Sequence, residues 1–281
     1  MNRRGVVETG SILDRIVADS RAALAARKQA VPQESLQERF AERVSLWPLS
    51  NAIRTPRGNA PTGAAVQIIA EIKKGSPSRG ILAEELDPVS IADAYVEGGA
   101  TGISVVTEVN HFFGRLDWLA QVRDHLEATA PDTRPSLLRK DFVFDAYQID
   151  EAAAYGADNV LLIVAMLDDG LLRDLLGEAR GLGLDALVEV HTEQEAERAV
   201  RAEASLYGIN NRDLHTFNGD LATTERIRPL LPDDAVVIGE SGVHTKADVE
   251  RLHRAGVRAI LVGEAFMTAP DVVAKMAELR L

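Results

Sequence analysis

Eight short apolar runs recur along the chain, and a stretch with the composition of a helix follows each one. Most of the runs end in a polar or charged residue, as in IIAEIK at 68–73 and AVVIGES at 235–241. The other six are ISVVTE (103–108), LLRKDF (137–142), VLLIVAM (160–166), ALVEVH (186–191), LYGINN (206–211) and AILVGE (259–264). Near-continuous apolar strands are typical of parallel sheets that are covered on both faces. Eight strand–helix units predict an α/β fold, the closed (β/α)8 or TIM barrel, with its chemistry at the strand ends.

A doubly wound open sheet would give a similar series of apolar runs. The chain has no G-x-G-x-x-G after its first run, which weakens that alternative. Residues 8–45 are predicted to be helical, with a break at the Val31-Pro32 step. Residues 48–63, rich in Pro and Gly, are predicted to form a loop that leads into the first strand.

The length of 281 residues suits one such barrel with an added segment. We therefore predict an N-terminal helical extension over residues 1–60, packed on a barrel over residues 61–281. The chain has no cysteine, which excludes disulfides and thiolate chemistry. This agrees with a reducing cytoplasm, which is where we expect the protein.

The net charge of −12 is unevenly distributed along the chain. Residues 1–60 hold 10 Lys/Arg and 6 Asp/Glu, a net charge of +4, which leaves −16 for the remainder. An acidic body argues against nucleic acid as the main partner. No apolar core follows the opening Met-Asn-Arg-Arg, so we expect no secretory signal. The apolar stretch Val160–Leu167 is far shorter than the ~20 residues that span a bilayer, so we expect no membrane contact.

Charged residues at the strand ends provide candidate acid–base groups. Glu71 and Lys73 lie two apart on the first strand and therefore point to the same side. A structural ion pair is the alternative, but the position at a strand end favours catalysis. Lys140 shares a strand face with Leu138 and Phe142, as expected of a lysine that reaches into a cavity. It could also be a surface lysine; in a cavity it could act as a general acid or as a Schiff base.

Three further strand ends carry polar residues. Glu189 lies within an apolar strand, where a carboxylate is rare, and it is the best candidate for a general acid or base. We expect His191 to cap a helix or lie at the surface rather than to act in catalysis. Asn210 is a candidate to hydrogen-bond a substrate hydroxyl, and Arg212 is a candidate to hold an anion or to brace its loop.

Glycine-containing turns, GESG at 239–242 and VGEA at 262–265, follow the last two strands. Barrels commonly bind phosphate at these two loops, where glycine lets backbone N–H groups approach the ligand. Ordinary tight turns are the alternative. The six histidines show no metal-binding spacing and there is no P-loop, so no metal is expected.

Several segments, taken in order, are similar to those of indole-3-glycerol-phosphate synthases. They are IAEIK (69–73), SPS (76–78), SVVTE (104–108), LRKDF (138–142), YQI (147–149), GAD (156–158), LLI (161–163), LVEVH (187–191), GINNRDL (208–214) and ESG (240–242). The resemblance runs from about residue 10 to the C-terminus and includes a helical extension before the barrel. It implies tryptophan biosynthesis without a cofactor: general acid/base catalysis converts 1-(2-carboxyphenylamino)-1-deoxyribulose 5-phosphate to indole-3-glycerol phosphate, carbon dioxide and water.

The resemblance also implies roles for individual residues. Lys140 matches the general acid that protonates the substrate ketone, and Glu189 matches the carboxylate that transfers protons in the later dehydration. Lys73 matches the lysine that contacts the substrate carboxylate and assists proton transfer. The polar residues that orient Lys73 and the substrate hydroxyls are Glu71, Asn210, Glu240 and Ser241. The phosphate-contacting positions are Ser76, Gly242, Gly263 and Glu264, and the anthranilate ring pocket is formed by Phe112 and Phe142.

Three positions, Gly75, Arg115 and Glu264, depart from the family pattern and bear on phosphate affinity more than on the reaction. A rival prediction is another phosphate-binding barrel, either a Schiff-base aldolase that uses Lys140 or phosphoribosylanthranilate isomerase, whose cysteine this chain lacks. A barrel retained only for binding or regulation has no reason to keep several charges at its mouth. We expect a phosphorylated small-molecule substrate and a monomer, and association with other tryptophan-pathway enzymes stays open.

Overall fold

The computed structural model describes residues 5–41 and 45–281, in which eight parallel strands form a closed barrel. The strands are β1 (Gln67–Ile72), β2 (Gly102–Val106), β3 (Ser136–Lys140), β4 (Asn159–Ile163), β5 (Asp185–Val190), β6 (Leu206–Asn210), β7 (Val236–Glu240) and β8 (Ala259–Val262). Each strand pairs with its neighbours in chain order, and β1 also pairs with β8, with Gln67 opposite Ala259. The predicted TIM barrel is confirmed, and the open-sheet alternative is excluded because no barrel strand is left at an edge.

Helices precede the barrel and then alternate with its strands. The preceding helices are α1 (Ile12–Ala30), α2 (Gln33–Ala41) and α3 (Leu49–Arg54). Those that follow the strands are α4 (Pro88–Glu97), α5 (Leu116–Thr129), α6 (Ala146–Ala154), α7 (Asp169–Gly181), α8 (Glu193–Arg201), α9 (Ala222–Ile227), α10 (Lys246–Arg254), α11 (Glu264–Met267) and α12 (Val272–Leu279). Short 3₁₀ turns lie at Val164–Met166 and Arg228–Leu230, and a small hairpin pairs Gly75–Ser76 with Gly80–Ile81 after β1.

Local sequence signals set several helix boundaries. Asp87 caps α4 by accepting the backbone N–H of Val89, and Pro88 occupies the first turn, where its missing N–H costs nothing. The helix ends before Gly98, and Gly99 then takes a φ of 75° that favours glycine.

The N-terminal extension is helical as predicted, and α1 and α2 are separated at the Val31-Pro32 step. Positions 1–4 and 42–44 of the predicted extension lie outside the described residues. The division into residues 1–60 and 61–281 stays a prediction. Within the described residues, no helix has both the length and the apolar character to cross a bilayer.

The loop predicted over residues 48–63 is wrong for its first part, where α3 forms. The backbone N–H of Leu49 donates to Asn159 Oδ1 at 2.7 Å, and that of Ser50 donates to Asp185 Oδ2 at 2.8 Å. These acceptors are the first residues of β4 and β5, so they cap the helix from the end of the barrel at which the strands begin. The fourth apolar run also leaves the strand conformation early, at the 3₁₀ turn that follows β4.

Side chains alternate on β3 as the sequence predicts. Arg139, almost fully buried, points away from Lys140 and pairs with Asp141 at 2.9 Å and with Glu151 at 3.2 Å. Glu151 also pairs with Arg27 of α1 at 2.6 Å. One buried charge network therefore anchors the N-terminal helix to the strand that carries Lys140.

Candidate active site

A cavity of about 190 Å³ opens at the carboxyl ends of the strands, and all eight strands contribute side chains to it. It brings together every residue that the sequence singles out for catalysis or binding. These are Glu71, Lys73, Ser76, Phe112, Lys140, Phe142, Glu189, Asn210, Arg212, Glu240, Ser241, Gly242, Gly263 and Glu264. The structure places these residues in one site, while their individual roles stay predictions.

Lys140 lies at the centre of the site, between two carboxylates. Its Nζ donates to Glu189 Oε2 and to Glu240 Oε2, and each distance is 2.7 Å. Burial disfavours the charged amine, but the fields of Glu189 and Glu240 outweigh burial and hold the pKa of Lys140 well above its usual value. Lys140 is therefore an ammonium group, ready to donate a proton.

The two carboxylates that contact Lys140 differ in their surroundings. Burial raises the pKa of Glu189, but Lys140 and His191 outweigh that effect and bring it well below the usual value. Asn210 Nδ2 also donates to Glu189 Oε1 at 3.1 Å. Burial and repulsion from Glu189 raise the pKa of Glu240 to about 7 against the pull of Lys140. Within the described part of the chain its Oε1 is buried without a hydrogen-bond partner, so the site holds one firmly ionised carboxylate and one that accepts a proton near neutrality.

A second lysine–carboxylate pair lies at the end of β1. Lys73 Nζ is 2.8 Å from Glu71 Oε1, and Ser104 Oγ donates to Glu71 Oε2 at 3.4 Å. Both side chains point into the cavity, as strand alternation predicts. Gly263 makes room for the pair, because a Cβ at that position would lie 2.5 Å from Glu71 Oε1 and 3.0 Å from Lys73 Nζ. Glycine at this turn therefore serves a close side-chain approach within the site.

Arginine and serine side chains form the outer edge of the cavity. Arg212 Nη1 donates to Ser78 Oγ at 3.1 Å, and its Nη2 lies 3.6 Å from Glu264 Oε2. Arg79 Nε also donates to Glu264, at 2.8 Å, and its hydrogen bonds lower the pKa of that carboxyl. Ser76 is buried beside this cluster. The contacts of Arg212 therefore link its loop to the loop after β1. Glu264 forms ion pairs with the guanidinium groups of Arg79 and Arg212 beside the predicted phosphate position.

The turn after β7 has a strained backbone. Ser241 and Gly242 both take a positive φ, of 62° and 75°, which is unusual for serine. Asn211 Nδ2 stabilises this geometry by donating to the carbonyl oxygens of Glu240 at 2.9 Å and Ser241 at 3.2 Å. Strain of this kind clusters at functional sites, and it fixes the direction of the backbone at the cavity wall.

The opposite side of the cavity is apolar. The rings of Phe112 and Phe142 lie 5.8 Å apart between centroids, inclined by 41°. Ile12, Leu13 and Ile16 of α1 also line the cavity. The sequence predicts that α1 packs on the barrel but gives no sign that its apolar face reaches the site.

Glu108 fixes the loop that carries Phe112. Its buried carboxylate accepts the backbone N–H groups of Asn110 at 2.9 Å, His111 at 2.7 Å and Phe112 at 3.0 Å. Three donors on one carboxylate hold a tight loop after β2. This positioning residue is not among those predicted from the sequence, although a glutamate directly after a strand was a visible signal.

His191 is not a surface residue, so that prediction is wrong, and Thr192 rather than His191 caps α8. The His191 side chain is 7% exposed, with Nδ1 3.3 Å from Glu195 Oε2 and Nε2 3.3 Å from Glu189 Oε1. Burial lowers its pKa, but the two carboxylates outweigh burial and raise it to about 10. The sequence held one indication of this contact, because His191 lies two residues after Glu189 and so falls on the same strand face.

The arrangement supports proton transfer at two positions. An ammonium donor beside an ionised carboxylate can act as an acid and a base, and the pair on β1 supplies a second donor. Among the described residues, no group of three or more histidines and carboxylates is arranged to hold a metal ion.

Comparisons with known proteins identify the family of this chain. A family model, described as indole-3-glycerol phosphate synthase, matches residues 13–279. Relatives of that name include one from Dehalococcoides mccartyi, 47% identical over 268 residues, or 95% of this chain and 99% of the relative. One from Mycolicibacterium smegmatis is 42% identical over 273 residues, or 97% and 95% of the two chains. The crystal structure of 3-hexulose-6-phosphate synthase from Salmonella typhimurium shares the fold alone, with a TM-score of 0.60 and 12% identity over 76% of this chain and 96% of that one. The chain therefore belongs to the indole-3-glycerol phosphate synthase family, carboxy-lyases of tryptophan biosynthesis.

Proposed function

We propose that this chain closes the indole ring of 1-(2-carboxyphenylamino)-1-deoxyribulose 5-phosphate and that Lys140 protonates the substrate ketone as the aromatic carbon attacks it. The proposal rests on one observation, the two 2.7 Å contacts of Lys140 Nζ with Glu189 and Glu240 at the strand ends. Because these contacts favour the ammonium form, Lys140 is protonated when the reaction begins and can act first as a proton donor.

The later steps need a base and a second acid. Loss of carbon dioxide restores the aromatic ring, and dehydration then removes the new hydroxyl group together with a proton from the neighbouring carbon. Glu189, held ionised, accepts that carbon-bound proton, and Lys73 contacts the substrate carboxylate and assists proton transfer to the departing hydroxyl. Positioned acid–base groups of this kind contribute about 10²–10⁴-fold each.

Orientation comes from the two ends of the cavity. The phosphate group is held on the side of Ser76 and the turns at Gly242 and Gly263, mainly by backbone N–H groups. The aromatic ring packs between Phe112 and Phe142. Holding both ends brings the aromatic carbon to the ketone and removes much of the entropic barrier to ring closure. Glu71, Asn210, Glu240 and Ser241 orient the reacting groups.

A Schiff-base aldolase is a poorer fit to the same residues. That chemistry needs Lys140 as a neutral amine, and such lysines have a pKa lowered by burial or by neighbouring cations. Here the neighbours of Lys140 are two carboxylates, which favour the opposite charge state.

The test is to mix the purified protein with the carboxyphenylamino substrate, without metal or nucleotide, and to follow indole fluorescence. We expect Lys140→Ala to lose at least about 10²-fold in kcat with a modest change in KM. Lys246→Ala, an exposed lysine on α10, is the matched control and should keep wild-type kinetics. No fluorescence from the folded wild-type protein, or near-normal kcat in Lys140→Ala, would overturn the proposal.

We also propose that the enzyme is a cytoplasmic monomer. The absence of cysteine agrees with the cytoplasmic assignment, since a chain without disulfides does not need an oxidising compartment. The predicted monomer is checked by sedimentation equilibrium, in which a dimeric mass would contradict it.

A further inference from the structure

Lys140 contacts two carboxylates at equal distance, yet a base-catalysed dehydration needs one of them to be reliably ionised. Glu189 Oε2 and Glu240 Oε2 both lie 2.7 Å from Lys140 Nζ. Both side chains are almost fully buried, with 4% and 2% exposed. Neither the lysine nor burial therefore decides which carboxylate keeps its charge, and the difference must come from the far oxygen of each group.

The far oxygens have different neighbours. Glu189 Oε1 lies 3.3 Å from His191 Nε2 and accepts a hydrogen bond from Asn210 Nδ2 at 3.1 Å. Glu240 Oε1 is buried and has no hydrogen-bond partner among the described residues. His191 Nε2 also makes no hydrogen bond within the described part of the chain, so its 3.3 Å approach to Glu189 Oε1 is an ion-pair contact. An ionised carboxylate without a partner on one oxygen carries a desolvation cost that a protonated one largely avoids.

We propose that His191 is a positioning residue that makes Glu189, rather than Glu240, the base of the reaction. Its charged ring beside Glu189 Oε1 breaks the symmetry between the two carboxylates. The inference rests on the proposed function and adds a residue that acts on substrate only through Glu189.

A second carboxylate keeps the His191 ring charged. Glu195 on α8 lies 3.3 Å from His191 Nδ1 and also accepts the His191 backbone N–H at 2.7 Å. The ring therefore lies between the carboxylate of Glu189 on β5 and that of Glu195 on α8. The charged groups that act on the ring are Glu189 and Glu195, and Glu189 in turn contacts Lys140 on β3, which also contacts Glu240 on β7. The raised pKa of His191, about 10, agrees with this placement.

The kinetic test is His191→Gln in the full chain, because glutamine offers an amide donor in place of the ring but carries no charge. Removing a neighbouring cation raises the pKa of a carboxylate by about 1–3 units. We expect the acid limb of the kcat–pH profile to move up by at least about one pH unit. Below the limb kcat should fall about tenfold, whereas the high-pH plateau and KM should stay close to wild type. His253→Gln, an exposed histidine on α10, is the control and should leave the limb in place.

A uniform loss of kcat with an unmoved limb would show a structural role and overturn the inference. Glu195→Gln should move the limb in the same direction by a smaller step, and it serves if His191→Gln does not fold. Imidazole ¹⁵N shifts of the wild-type protein at pH 8 give an independent reading: an imidazolium signature at His191 is expected, and a neutral ring overturns the inference. A wild-type protein that makes no indole would refute the proposed function instead, so the two failures are distinct.

Discussion

Gly208, inside β6, determines where the Glu240 carboxylate can lie. A Cβ built at this position would lie 2.0 Å from Glu240 Oε1 and 3.2 Å from Leu187 Cδ1. Contacts under 3.0 Å are essentially never made by real Cβ atoms, so Gly208→Ala must push the carboxylate away by about 1 Å. Glu240 has little freedom to yield, because it is buried and Lys140 holds its other oxygen.

The size of the effect follows from this displacement. A misplacement of about 1 Å near the reacting groups costs about 10²-fold in rate. Forcing an extra methyl group into a packed interior costs about 1–3 kcal/mol of the free energy of unfolding. We therefore expect Gly208→Ala to lose about 10²-fold in kcat, measured by indole fluorescence, and about 1–3 kcal/mol in urea unfolding.

Gly177→Ala is the matched control. Gly177 lies within α7 and a Cβ there meets nothing within 4 Å, so alanine should stabilise the helix by about 0.5–1 kcal/mol and leave kcat unchanged. Adding Glu240→Ala to Gly208→Ala removes the overlap, so the two stability losses should not add. Wild-type kcat and stability in Gly208→Ala would refute the reasoning that this glycine fixes the carboxylate beside Lys140.

Three further variants test other parts of the structure. Glu264→Ser should make inorganic phosphate a stronger inhibitor, by up to about fivefold, because the exposed Arg79 guanidinium loses its carboxylate partner and becomes available to the anion. Arg139→Met should lower the free energy of unfolding by about 3–5 kcal/mol, since it leaves the buried Glu151 carboxylate without this partner. The folded-state pKa of His191 is raised from 6.5 to about 10, so its contribution to stability is complete below pH 6.5 and falls as the pH rises towards 10. His191→Gln should therefore flatten the pH dependence of urea unfolding in that window, by up to about 1.4 kcal/mol per pH unit.

Each of these variants has an outcome that counts against it. Unchanged inhibition by phosphate in Glu264→Ser would show that the carboxylate does not compete for the anion site. Arg115→Met is the control for Arg139→Met, because the Arg115–Asp117 pair is exposed and should be worth less than about 1 kcal/mol. Equal losses in the two arginine variants would contradict the argument from burial. Parallel unfolding curves against pH for wild type and His191→Gln would show that the ring does not bind a proton in the folded state.

The barrel could be predicted from sequence because its signals are local and repeated. Every residue of β1, β2, β4, β7 and β8 is buried, which is why these strands are predominantly apolar. Helix α3 could not be predicted in the same way. Its caps are Asn159 and Asp185, more than a hundred residues away, and Pro-rich sequence around it points to a loop. Tertiary contacts outweigh local propensity there.

The candidate site was predictable as far as the position of a residue along its strand determines where its side chain points. Lys140 and Glu240 end their strands and Glu189 is the last residue but one of β5, so the barrel geometry alone brings them to one cavity. The contacts that surround each side chain could not be predicted from the sequence. His191 was predicted to cap a helix or lie at the surface, and its burial depends on how Glu195 folds back from α8. Such a contact is set by packing between elements rather than by spacing along the chain.

Because Lys140, Glu189 and Glu240 are joined by direct contacts, no single substitution among them measures one residue alone. Glu240→Gln removes the negative charge that lies beside both Lys140 and Glu189. The pKa of Lys140 therefore falls towards its usual value, and the pKa of Glu189 falls further. The acid then becomes easier to deprotonate while the base stays ionised. A change in the alkaline limb of the kcat–pH profile in this variant would report on Lys140, whereas the acid limb reports on Glu189. If Glu240→Gln instead abolished turnover at every pH while the protein stayed folded, Glu240 itself would be the base, and the assignment made through His191 would be reversed.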